Sequence, residues 1–76
     1  MDLVKLKKFN DLCDKVYDDI CKTWDKSKRP VSIYGLLVEH SIPESLMDDV
    51  VYQLTARRAT VRYSSGGLKP EYAYKK

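Results

Sequence analysis

The sequence is short of cysteine, histidine and long apolar runs, and each shortage closes off a class of function. Two cysteines in 76 residues are too few for a disulfide scaffold. Cys13 and Cys21 fall within one helical pattern, about 12 Å apart along its axis, too far to bridge each other. They read as small apolar residues in a reducing compartment. A metal site needs more ligands than two distant thiols and the single His40, so neither metal nor cofactor is expected. No serine or cysteine stands beside a histidine base, and no glycine-rich phosphate loop follows a strand. The reading is therefore of a protein without catalytic residues, not an enzyme. No run of about 18 apolar residues is present, so no membrane span is expected. The opening residues lack an apolar signal-peptide core, which predicts a cytoplasmic (intracellular) protein.

What is present is one domain's worth of chain, 43% apolar and 33% charged. A chain this short buries only a modest core, and a second copy is one way to complete it. The pattern divides residues 1–76 into a long amphipathic helix over 1–28, a helix-turn-helix over 32–58 and a β-hairpin over 59–76. The expected fold is mainly α with a C-terminal β-hairpin.

In the first helix Leu6, Phe9, Cys13, Val16 and Ile20 recur every three or four residues, and Leu12, Tyr17 and Trp24 widen the stripe. Either the helix covers its own domain, or part of the stripe pairs with a second copy. The expectation is a homodimer through Leu6, Phe9, Cys13, Val16, Tyr17, Ile20 and Trp24. Arg29-Pro30 ends the helical run and opens an extended link. Ser32 is placed to cap a helix bearing Ile33, Leu36, Leu37 and His40, in which Gly35 suggests close approach of another backbone. His40 is given a structural role near that helix's C-terminus. Ser41-Ile42-Pro43-Glu44 fits a capping box ahead of a helix bearing Leu46, Met47, Val50, Val51 and Leu54. After Arg58 the period turns to alternation. Ser64-Ser65-Gly66-Gly67 reads as the turn, and Pro70 as a loop or strand start.

The net charge of +3 is unevenly spread. Residues 1–28 hold seven lysines against six aspartates, a net of +1. Residues 29–56 hold Arg29 against Glu39, Glu44, Asp48 and Asp49, a net of −3. Residues 57–76 hold Arg57, Arg58, Arg62, Lys69, Lys75 and Lys76 against Glu71, a net of +5. Cations interleaved with Tyr63, Tyr72 and Tyr74 suit phosphate contact. Asp48 and Asp49 suit the positive end of a helix dipole and sit badly against a phosphate-lined groove.

The order helix, turn, helix and glycine-centred hairpin from Ser32 to Lys75 resembles the winged helix-turn-helix superfamily of small prokaryotic, archaeal and viral regulators. The resemblance implies a helix entering the major groove and a wing on the backbone or minor groove. It puts Ser45, Tyr52, Gln53 and Arg57 in the helix role, and Arg62, Lys69 and Lys75 in the wing role, with Arg58 between them. The implied partner is double-stranded DNA, with RNA as the alternative nucleic acid, and the implied function is transcriptional regulation. A reading of a different class is a protein-interaction module, using the Glu44-Asp48-Asp49 face or the first helix.

Overall fold

The computed structural model describes residues 3–64 and 66–76. Their order is α1 (Leu3–Ser27), β1 (Val31–Ser32), α2 (Ile33–Glu39), a 3-10 turn (Glu44–Leu46), α3 (Met47–Ala56), β2 (Thr60–Tyr63) and β3 (Pro70–Tyr74). The helices pack on one three-stranded antiparallel sheet of order β1-β3-β2. The hairpin is thus widened by a two-residue strand that pairs Val31 with Ala73 and Ser32 with Tyr72.

The core forms where the apolar stripes meet the inward side of β3. Cys13, Val16 and Ile20 of α1, Ile33, Leu36 and Leu37 of α2, Val50, Val51 and Leu54 of α3, and Ala73 of β3 are all buried. Phe9, Leu12, Tyr17, Leu46, Met47 and Val61 lie against this cluster, half-buried. This corrects the expected dimer stripe. Cys13, Val16 and Ile20 have no accessible surface for a second copy, because α2, α3 and the sheet already cover them. Tyr17 packs on the same core, and Trp24 stacks on Tyr74 at 4.8 Å between ring centroids. Of the stripe, only its N-terminal end stays open.

Ser32 caps α2 as expected, its Oγ accepting the Gly35 N–H at 3.3 Å. Gly35 itself is not required by space, since an added Cβ would meet only Ser32, its Cβ at 3.5 Å, an ordinary contact. The expected capping box at Ser41 does not form. Ser41 sits in the left-handed region (φ 57°) and ends α2 instead. Its N–H donates to Val38 O at 3.2 Å, and Ile42 N–H donates to Leu37 O at 2.8 Å, the paired bonds of a Schellman stop. Ile42 and Leu37 are both buried, which supplies the apolar contact such a stop favours. Glu44 instead accepts the Tyr34 hydroxyl at 2.6 Å, and the chain enters α3 through the 3-10 turn, whose N-cap Pro43 has no side-chain capping bond.

α3 ends by the same device. Arg58 is left-handed (φ 71°), its N–H donating to Thr55 O at 2.9 Å and that of Ala59 to Leu54 O at 3.0 Å. The buried Ala59 then directs the chain into β2. β2 pairs with β3 from Thr60 opposite Tyr74 to Tyr63 opposite Pro70, with an irregularity between Arg62 and Tyr63. Pro70 stands first in β3, where a missing backbone donor is tolerated. The connecting turn closes through Gly67 N–H to Ser64 O at 2.8 Å, with Gly66 and Gly67 at φ 94° and 70°. Ser65 of the expected turn lies outside the described residues.

Candidate nucleic-acid interface

The second Schellman stop turns the chain from α3 into the hairpin, and strand alternation sorts its side chains. Val61 and Ala73 pair across the strands on the core side. The alternate positions Thr60, Arg62, Tyr72 and Tyr74 take the other side. Arg62 stands opposite Tyr72, which in turn pairs with Ser32 of β1. Arg58, Arg62 and Lys69 are exposed, and among the described residues their side chains form no ion pair or hydrogen bond. Lys75 is half-buried and donates from Nζ to the Arg58 carbonyl at 3.1 Å, so it holds the hairpin base as well as adding charge. Exposed Tyr63 and Leu68 stand near the hairpin tip.

A second cationic group gathers around the stacked rings. Lys28 Nζ lies 5.9 Å from the Trp24 ring and Lys76 Nζ 6.0 Å from the Tyr74 ring, both within cation–π range. Sequence reading missed this because Trp24 and Tyr74 lie 50 positions apart in the chain. The only sequence signal was tyrosine interleaved with lysine near the C-terminus.

α3 offers less than its place in the pattern implied. Ser45 and Tyr52 are exposed, Tyr52 by 72%. Arg57 instead ties the end of α3 to α1, and Gln53 holds Arg57 in place. Arg57 Nε donates to Asp14 Oδ1 at 2.8 Å, and Nη1 donates to Gln53 Oε1 at 2.8 Å and Gln53 O at 3.0 Å. Nη2 reaches Asn10 O at 3.5 Å. With its donors spent this way, Arg57 is an interhelical clamp. Asp48 and Asp49 remain exposed in the first turn of α3.

Beside that turn, an open groove of about 470 Å³ runs between α1 and α3, lined by Leu6, Phe9, Leu46, Asp49, Tyr52 and neighbours.

His40 Nε2 lies 2.6 Å from Asp19 Oδ2, joining α1 to the end of α2, and Glu39 brings a third donor within 4.8 Å. The facing Asp19 and His40 atoms satisfy each other. Burial pushes the Cys13 thiol up, outweighing the pull of Arg57, so it stays protonated and unreactive at neutral pH. The Glu44 carboxylate raises the Tyr34 phenol by accepting its hydrogen bond, which holds the proton on the phenol. Among the described residues no helix is long and apolar enough to cross a membrane. Comparison with protein-family models, with curated proteins and with solved structures finds no match to this chain.

Proposed function

We propose that this chain is a small DNA-binding protein of winged helix-turn-helix type, a transcriptional regulator whose hairpin supplies most of the grip on the duplex. The observation that carries the reading is the charge division across the fold. The cations of the hairpin and its base, Arg58, Arg62 and Lys69, stand exposed and, among the described residues, unpaired, while the first half of α3 is acidic. The sequence of elements, with β1 closing a sheet of order β1-β3-β2, agrees with the resemblance noted above. In this reading the wing contacts phosphates, which position a protein without specifying sequence. From α3 and the turn before it Ser45 and Tyr52 are the ones available to base edges, since Arg57 is committed to Asp14 of α1 and Gln53 to Arg57. The reading as a protein-interaction module draws on a separate observation, the apolar groove beside the acidic turn of α3.

A salt-titrated binding assay on duplex DNA tests the proposal. Arg62→Ala with Lys69→Ala should weaken binding to all sequences about equally and flatten the salt dependence by about 0.9 of a slope unit per lost phosphate contact. Stability should stay within about 0.5 kcal/mol of the parent, because both side chains are solvated. Absence of duplex affinity at about 50 mM salt would overturn the reading, and affinity for RNA alone would redirect it.

A further inference from the structure

We infer that the groove between α1 and α3 receives the start of α1 from a second copy of this chain, forming a twofold dimer. This goes beyond the nucleic-acid reading and does not depend on it. α1 is long for so small a fold. Its 25 residues run about 38 Å, while the whole fold extends 36 × 29 × 21 Å, so the helix spans the full long axis. Its fully buried residues, Cys13, Val16 and Ile20, all lie past its first ten positions. At the start of the helix Leu6 lines the groove, 41% exposed, and Leu3, 83% exposed, precedes it by three residues on the same face. Tyr52 stands on the opposite wall, 72% exposed. Large apolar side chains left exposed along a groove mark an interaction site.

Charge decides what fits there. The α3 rim is acidic: Asp49 lines the groove and Asp48 adjoins it, both exposed and neither with an ion-pair partner among the described residues, while Lys5 lines the α1 side. The occupant must present apolar residues at helical spacing with cations beside them. The chain itself carries that segment, Leu3 and Leu6 with Lys7 one turn from Leu3 on the same side of the helix, a lysine outside any ion pair among the described residues. Because this segment forms the groove's own lip, a twofold axis lets each copy insert and receive at once, the reciprocity a closed dimer requires. Lys7 of one copy then faces Asp48 and Asp49 of the other, which fixes the register. Tyr52 falls inside this interface, so in the dimer it is withdrawn from base contact, and Ser45 and the hairpin cations are what the dimer leaves for a duplex.

Sedimentation equilibrium of the full chain without nucleic acid, from about 1 to 500 µM, tests the inference. The parent mass should rise with concentration from 8.8 kDa towards twice that value. Leu6→Asp should raise the dissociation constant at least about 100-fold, because a carboxylate would be buried without a partner. Leu3→Asp should act in the same direction at a position too exposed to affect folding. Asp49→Lys should weaken the dimer about tenfold at low salt and less at high salt. Circular dichroism shows that each variant is folded. A parent that stays at the monomer mass throughout would overturn the inference, and so would a dimer that Leu3→Asp and Leu6→Asp leave unchanged.

Discussion

Replacing Arg57 by alanine separates a structural from a recognition role for a cation that bonds to Asp14, Gln53 and Asn10. The side chain is 22% exposed, whereas its partner Asp14 is 65% exposed. The ion pair by itself is therefore worth only about 0–1 kcal/mol. More comes from the two Nη1 bonds to Gln53, 2.8 and 3.0 Å long, and from the packing of the aliphatic stem between the helices. Charge-assisted bonds that are partly shielded contribute about 1.5 kcal/mol or more, which puts Arg57→Ala near 2 kcal/mol and Asp14→Ala near 0.5 kcal/mol. For a domain of this size 1 kcal/mol shifts Tm by about 4–8 °C, so Arg57→Ala should melt about 8–16 °C lower and Asp14→Ala only a few degrees lower. Thermal melts followed by circular dichroism measure this. A DNA titration below both melting points should find Arg57→Ala close to the parent in affinity, since its guanidinium faces α1. A variant that melts within about 2 °C of the parent yet loses most of its DNA affinity would refute the assignment of Arg57 as a clamp.

Arg58→Gly should split stability from binding in opposite directions. It relieves a left-handed residue at the end of α3, raising stability by about 1 kcal/mol, and removes one wing cation, so salt-titrated affinity should fall for all sequences alike. A loss of stability would show that the arginine side chain holds the helix end. Gly35→Ala should raise stability by about 0.5–1 kcal/mol in a denaturant melt, because the new methyl meets only Ser32 at ordinary distance and the unfolded chain loses freedom. A lower midpoint would mean that Ser32 cannot give way and keep its cap.

Features that depend on near neighbours are legible in the amino-acid sequence. Ser32 reads as a cap because a hydroxyl three residues ahead of an N–H has a short local path to it. The stripes of α2 and α3 face the core because helical spacing puts them on one side, and Pro70 opens a strand because it cannot donate within one. The capping box at Ser41 shows where such local logic becomes ambiguous. Ser41-x-x-Glu44 can start a helix, but the same serine can also end one, and burial of Ile42 and Leu37 selected the stop. The residue types around Ser41 do not signal that choice, because it turns on how α2 seats in the core.

The candidate site divides along the same line. The sequence by itself determined that positive charge collects in the last twenty residues, that the turn before α3 is acidic, and that a hairpin follows a pair of helices. Only the tertiary structure decided which cations remain available. Arg57 is withdrawn by Asp14, 43 residues away, and the stripe of α1 is divided into a buried middle and an open start. Likewise β1 joins β3 across the chain, and Trp24 finds Tyr74. The physical reason is that helical and strand periods fix which side chains share a face of their own element. What each face meets depends on the crossing of distant elements, and a guanidinium pairs with whichever carboxylate that crossing brings within about 3 Å.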